Sequence, residues 1–343
     1  MSDERKKIMK KKIMKIVLWV LCIILGLTLV AFIAFQVSPK PSAMLIARAF
    51  NGEVKISDQK PFDSAAKNVT VSLDKTYQSK FKDNTYDVYY PKASKAPVPV
   101  LLWVHGGGYV GGDKEGAKEF ATRIASDAQV AVVSMNYQVA PSSQYPNQVV
   151  QVEELISALK KQHDKRLDLS NLFLGGDSAG GQIALQFAAT QTNPSYAKQV
   201  GISQVLEAKT IKGAISYCGP VDIKQMADQA IDGKAMKFFI KTVAWSLIGT
   251  KNWQKDPKLF EASVVDHVTT AFPPTYITDG NAYSFQDQGL ALVSKLTSLN
   301  LPVTGLFYKD QKKQMTHEYQ FNYATDESKA CYEQTLQFVR QYK

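Results

Sequence analysis

A serine held between two glycines, in Gly176-Asp177-Ser178-Ala179-Gly180, constrains this chain more tightly than anything else in it. In a Gly-x-Ser-x-Gly string a strand turns abruptly into a helix and lifts the serine hydroxyl out of a strained bend, the nucleophile elbow. Side chains flanking the serine would collide with the neighbouring strand and helix, and glycine alone lacks the Cβ that does so. The surroundings supply the required order: Asn171-Leu172-Phe173-Leu174 reads as a short buried strand and Ile183 to Ala189 as a helix with an apolar face. A second glycine string stands upstream. Val98 to Val104 is an apolar strand that runs straight into His105-Gly106-Gly107-Gly108-Tyr109, whose amides are free to approach a substrate oxygen.

From Val98 onward strands and helices alternate. Strand Val98 to Val104 precedes a helix at Ala117 to Ala128, strand Val130 to Ser134 a helix at Asn147 to Gln162, and the elbow strand comes next. Strands Ile211 to Tyr217 and Thr275 to Thr278, a helix at Gln288 to Leu299, strand Val303 to Tyr308 and a helix at Ser328 to Tyr342 complete the series. Such alternation predicts an α/β fold with a mostly parallel central sheet and helices on both faces. Two alternating runs, Val69 to Leu73 and Tyr86 to Tyr90, read as a hairpin ahead of it. Residues 222–262 hold no strand but contain an amphipathic helix from Met236 to Ile248. That excursion reads either as a helical lid insertion over the site or as an ordinary surface excursion docked on the core.

The N-terminus obeys a different rule. Residues 16 to 35 hold twenty positions without a charge, enough to cross a bilayer. Before them, residues 1–15 carry seven basic and two acidic side chains, a net +5 that is half of the formal +10 of the chain. With that half assigned to a leader, the charge calls for no nucleic-acid partner. Basic residues stay on the cytoplasmic side, so the expected organisation is a cytoplasmic leader at 1–15, an N-terminal transmembrane helix acting as signal-anchor at 16–36, and a linker and N-terminal segment at 37–67. The main domain, 68–343, then lies outside the cytoplasm at the cell membrane, or is secreted where the leader is cleaved. Ser38-Pro39-Lys40-Pro41 breaks the helix as it leaves the membrane, and Ser42 to Phe50 reads as a short helix. Cys22 falls inside the span, leaving Cys218 and Cys331, too few for a disulfide framework and read as buried unpaired thiols.

Taken together, these motifs resemble the hormone-sensitive-lipase-like branch of the α/β-hydrolases, with its carboxylesterases and acetyl esterases. The resemblance covers roughly residues 69 to 343 and rests on several strings in order: His105 to Gly108, Asn136-Tyr137-Gln138-Val139-Ala140-Pro141 with Tyr145-Pro146, Gly176 to Gly181, Pro273-Pro274-Thr275-Tyr276, and His317 after the last strand. It implies that Ser178 is the nucleophile and that the backbone amides of Gly107, Gly108 and Ala179 form the oxyanion hole. Elementary chemistry leads to the same set, since preorganised amides stabilise charge developing on a carbonyl oxygen. Of the four histidines, His317 alone follows the last strand, where the order Ser, acid, His requires the base. His105 reads instead as a structural residue packed under its loop.

The acid departs from the pattern. The family usually places an aspartate in a Gly-x-x-Asp arrangement after the penultimate strand, but Gly280-Asn281-Ala282-Tyr283 carries tyrosine there. Two carboxylates stand close: Asp279 at the C-terminal end of the strand and Asp287 near the start of the next helix, with Glu318 a weaker third candidate. Sites in open parallel sheets lie outside the carboxyl ends of the strands, which places Asp279 first and leaves Asp287 as the alternative.

The resulting expectation is a membrane-anchored serine hydrolase that cleaves a small-molecule ester of short, acetyl-type acyl groups through an acyl-enzyme, with no metal and no cofactor. Its activity should fall on the acid side near pH ~6.5 as His317 protonates. Tyr283 motivates a second reading, a non-catalytic binding domain that keeps the fold. A peptidase or amidase using the same Ser-His pair is the third.

Overall fold

Strands that are apolar on both sides need cover on both faces, and this requirement organises the chain. The computed structural model describes residues 3–228, 233–309 and 311–343. The first two residues of the basic leader and residues 229–232 of the 222–262 excursion therefore lie outside the described residues. Eight strands form one sheet: β1 (Val69–Thr76), β2 (Thr85–Pro91), β3 (Val98–Val104), β4 (Ala131–Met135), β5 (Leu167–Asp177), β6 (Ile211–Tyr217), β7 (Thr275–Thr278) and β8 (Val303–Leu306). Their order across the sheet is β1-β2-β4-β3-β5-β6-β7-β8. β2 pairs antiparallel with β1 and with β4, and all other neighbours are parallel.

The helices are α1 (Asp3–Val37), α2 (Lys40–Phe50), α3 (Gln59–Ala66), α4 (Lys118–Ala128), α5 (Asn147–Gln162), α6 (Ala179–Thr192), α7 (Pro194–Val200), α8 (Gln225–Asp228), α9 (Lys234–Ile248), α10 (Pro257–Glu261), α11 (Gln286–Ser298) and α12 (Asp326–Tyr342). One face of the sheet is covered by α4 and α12, whose Phe120, Ile124, Leu336 and Val339 pack with Leu101 and Trp103 of β3. On the other face α5, α6 and α11 share a core with α2 and α9. α6 is buried on every side, which suits its run of alanine, glycine and glutamine with few large side chains to accommodate. Trp103 is fully buried, its ring 4.4 Å from Phe120 and 5.2 Å from Tyr217.

Element type was readable from periodicity, and the differences have physical causes. The segment at 37–67, expected as a linker with one short helix, holds a second, α3, of which only Ala65 is buried. At eight residues it spans barely two turns, too few for an apolar period to stand out in the sequence. β5 begins four residues earlier than its apolar core, because Leu167 and Asp168 pair with Val98 and Pro99 of β3 ahead of a register shift, with the side chains of this stretch partly in solvent. β8 ends at Leu306, two residues short of the expected Tyr308. Cys218 and Cys331 are buried and unbridged.

α1 runs unbroken from Asp3 through the basic leader and the apolar stretch, with none of its residues buried and a mean hydropathy of 3.0 over its most apolar window. Among the described residues it is the one helix long and apolar enough to cross a membrane, a test that a signal sequence also passes.

Candidate active site

The residues singled out by sequence come from the C-terminal ends of four parallel strands. Ser178 follows β5 directly and opens α6, with φ +47° and ψ −120°, a conformation a side-chain-bearing residue adopts only when its surroundings force it. What forces it is contact on both sides. The Ser178 amide donates to the Tyr217 carbonyl of β6 at 2.7 Å. A Cβ on Gly180 would overlap the Val104 carbonyl at the end of β3, so the helix can press against that strand only with glycine there. The hydroxyl thus stands at the head of a buried helix, where the unpaired amides and the helix dipole favour negative charge.

His317 lies beyond β8, in a loop that an isolated bridge between Ala282 and Thr316 pins to the loop after β7. Its Nε2 is 2.9 Å from Ser178 Oγ. Its amide donates to the Ala282 carbonyl, and Phe285 meets the ring edge to face at 5.4 Å. Asp279, at the end of β7, is 2% exposed and holds Oδ1 3.7 Å from His317 Nδ1. Backbone amides fix this carboxylate: Gly280 N–H donates to Oδ1 at 2.7 Å and Phe285 N–H to Oδ2 at 2.6 Å. At 3.7 Å the pair is too long for a hydrogen bond and becomes an ion pair only when the imidazole is protonated, and Nδ1 is buried without an acceptor. Such contacts are commonly long in an unliganded site and tighten with substrate. Among the described residues Asp279 is the carboxylate within salt-bridge distance of this ring; Asp287 sits exposed in the first turn of α11. Tyr283, at the position where the family pattern has aspartate, turns into solvent at 75% exposure.

The glycine loop reaches the same place from β3. Gly107 and Gly108 both take positive φ, +103° and +59°, and a Cβ on Gly107 would overlap the Gly111 carbonyl. Among the described residues no protein acceptor takes the amides of Gly107, Gly108 or Ala179. His105 is buried and stacked on Tyr137 at 4.4 Å, and burial pushes its imidazole down to about 4, which makes it a neutral packing residue. A cavity of about 700 Å³ opens above, lined by Gly108, Ser178, Ala179 and His317, by Phe50 of α2 and by the inner face of α9. Phe239 of α9 lies directly over Gly108.

Two features escaped the sequence. One is a pair of carboxyls beside the site, Asp177 buried and Glu318 half-buried. Asp177 accepts from Trp103 Nε1 at 2.8 Å and from the Gly106 amide at 2.7 Å. Burial, and then the charge of Glu318, push its carboxyl up to about 7. Glu318 is raised by burial as well, and its Oε1 would lie 3.0 Å from a Cβ on Gly106, on the same side as Asp177. The other is the balance at His317. Burial lowers its pKa, but the Asp279 contact and charge, then the charges of Glu318 and Asp177, outweigh burial and leave it above the ordinary histidine value. That direction would place the acid limb above the 6.5 of an ordinary histidine. Nothing local in the sequence signals either feature, since both depend on residues from three strands meeting.

Cys218, His317 and Glu318 offer the one cluster with metal-ligand spacing among the described residues, their ligand atoms within 4.8 Å of one another. It is a poor metal site. The imidazole is engaged by Ser178, and burial pushes the Cys218 thiol well above the ordinary thiol range, so it stays protonated.

Comparison with known proteins agrees with this architecture. A family model described as the alpha/beta hydrolase fold matches residues 101–320. The chain is 25% identical over 268 residues to a putative alpha/beta hydrolase of Acanthamoeba polyphaga mimivirus, covering 72% of this chain and 74% of that protein. It is 26% identical over 265 residues to the versiconal hemiacetal acetate esterase of Dothistroma septosporum, covering 74% and 76%. Among solved structures, esterase B from Lactobacillus rhamnosis superposes with a TM-score of 0.66 at 21% identity, covering 90% of this chain and 93% of that one.

Proposed function

Because the chain belongs to the α/β-hydrolase fold family, in its hormone-sensitive-lipase-like branch, we propose that it is a carboxylic ester hydrolase using Ser178, His317 and Asp279. The observation that carries this reading is the 2.9 Å contact between Ser178 Oγ and His317 Nε2 at a strained strand-to-helix bend, facing amides with no protein acceptor.

Ser178 Oγ attacks the ester carbonyl carbon as His317 Nε2 takes its proton. Charge that moves onto the carbonyl oxygen is met by the amides of Gly107, Gly108 and Ala179, each worth on the order of 3 kcal/mol in the transition state. Collapse of the tetrahedral species breaks the bond to the alcohol, which leaves with the proton that His317 returns. Water then attacks the acyl-serine, with His317 again as base. Asp279 holds the imidazole in one tautomer and stabilises its cation. Asp287 has no part in this arrangement, and no step needs a metal or organic cofactor.

A short, acetyl-type acyl group is the proposed substrate, in keeping with the acetate ester named for the fungal relative. α1 is proposed as a single-pass anchor, with residues 1–15 on the cytoplasmic side and the domain from residue 68 onward outside. The deciding experiment is labelling with a fluorophosphonate probe alongside nitrophenyl acetate hydrolysis. Wild type should be labelled and Ser178→Ala should lose both label and turnover while melting as wild type does. Unchanged turnover in that variant would reject the assignment, and an unreactive wild type would favour the binding-domain reading.

A further inference from the structure

The helix that leaves the apolar span is part of the cavity wall. α2 starts three residues after α1 ends, and Phe50 at its C-terminal end lines the cavity and meets Phe239 of α9 at 6.3 Å. Behind Phe50 the same helix holds the glycine loop. The Ala47 Cα would lie 3.0 Å from a Cβ on Gly111, and Asn51 Oδ1, just past the helix, accepts from the Gly112 amide at 2.8 Å.

The outer surface of these two helices does not suit water. Met44 and Leu45 of α2 are 64% and 51% exposed, and Phe238, beside Phe239 on α9, is 44% exposed. Exposed cations accompany them: Arg48 on α2, and Lys234, Lys237 and Lys241 on α9, with no acidic partner within salt-bridge distance among the described residues. Exposed apolar side chains with cations beside them have the composition of an interfacial membrane surface, in which the apolar groups enter the headgroup boundary and the cations meet lipid phosphates. Covalent continuity decides what covers this face. Two residues, Ser38 and Pro39, separate α2 from a helix able to span a bilayer, so the surface cannot travel far from the membrane that α1 enters.

We propose that the outer face of α2 and the first turns of α9 rest on the bilayer crossed by α1, and that the substrate is a lipophilic ester which enters the cavity from that bilayer past Phe50. This inference rests on the esterase and anchor readings given above. It narrows the substrate class to esters whose apolar arm partitions into lipid, the arm running along Phe50, Phe239 and Val243 while the carbonyl reaches Ser178. It also gives α2 a role: delivering the membrane surface to the rim of the site.

The test uses the full chain reconstituted in phosphatidylcholine vesicles containing phosphatidylglycerol, with nitrophenyl acetate in the water phase and dodecyl acetate in the bilayer. Met44→Glu combined with Phe238→Glu should lower dodecyl acetate turnover at least tenfold and leave nitrophenyl acetate turnover within twofold of wild type. A second measurement is independent of catalysis. Fluorophores on Met44→Cys and Phe238→Cys, in a Cys22→Ser background, should be quenched by bromolipid, while one on Lys329→Cys of α12, on the opposite face of the sheet, should not. Equal losses on both esters, or labels at 44 and 238 no better quenched than at 329, would overturn the inference. Failure of wild type to hydrolyse nitrophenyl acetate would reject the esterase reading, and with it the substrate named here, while the quenching would still decide whether this face rests on the bilayer.

Discussion

Replacing Asp279 by asparagine removes one negative charge 3.7 Å from His317 Nδ1 with almost no change in shape. At an effective dielectric of about 20, Coulomb's law gives ~4.5 kcal/mol for that pair when the imidazole is charged. The imidazole is charged in the transition state and neutral in the ground state, so the loss falls on the barrier. At 1.36 kcal/mol per factor of ten, kcat should drop on the order of 10³-fold. Folding suffers separately. Asp279 accepts from two backbone amides, Gly280 and Phe285, and asparagine has only one carbonyl oxygen to offer them, which leaves a buried donor unpaired at a cost of ~1–3 kcal/mol. The experiment is therefore kcat for nitrophenyl acetate at saturating substrate, measured well below the melting temperature of each variant and set beside Asp287→Asn. The exposed Asp287 should cost less than threefold. A surviving tenth of the activity in Asp279→Asn, or a larger loss in Asp287→Asn, would show that the carboxylate at the end of β7 does not orient the base.

His317 is held above the ordinary histidine value, and in the proposed mechanism its neutral ring is the base, so the acid limb of kcat/KM should lie above pH 6.5; a limb below it contradicts the charge balance described. Glu318→Gln removes one of the charges that raise His317, so that limb should move toward lower pH in a full pH profile, and an unmoved limb would exclude Glu318 from the electrostatics of the site. Gly180→Ala drives a methyl group into the Val104 carbonyl, and either the elbow opens or the chain fails to fold; wild-type turnover and melting in that variant would show the strand-to-helix contact is looser than described. Trp103→Ala empties a fully buried site and takes the indole donor from Asp177, so it should cost roughly 3–5 kcal/mol in denaturant unfolding, and a loss under 1 kcal/mol would mean the pocket collapses around it.

Most of the fold could be read because its strands and core helices carry strong periodic signals. β3 is apolar along its length and α5 has clear helical spacing, so Asn147 to Gln162 was legible to the residue. α3 was hidden because it is only two turns long, and the full reach of β5 because its first residues are half in solvent. The serine, the histidine and the glycine loop were equally legible, since each needs a residue type at a fixed offset from a strand end. Choosing between Asp279 and Asp287 was harder. A loop of a few residues decides which carboxylate faces the ring, and loop conformation is set by contacts such as the Ala282 bridge to Thr316 and the two amides that clamp Asp279. The Asp177 and Glu318 pair had no signature at all, because one belongs to the elbow, the other follows the histidine, and they meet only above Gly106.

Asp177 grips Trp103 of β3 and the first amide of the glycine loop while its own backbone runs into Ser178. A single side chain thus ties the Ser178 hydroxyl to the loop proposed to receive the displaced charge. Neither segment can drift, by thermal motion or by mutation, without dragging the other along. The two glycine strings, some seventy residues apart in the chain, are in mechanical terms one part.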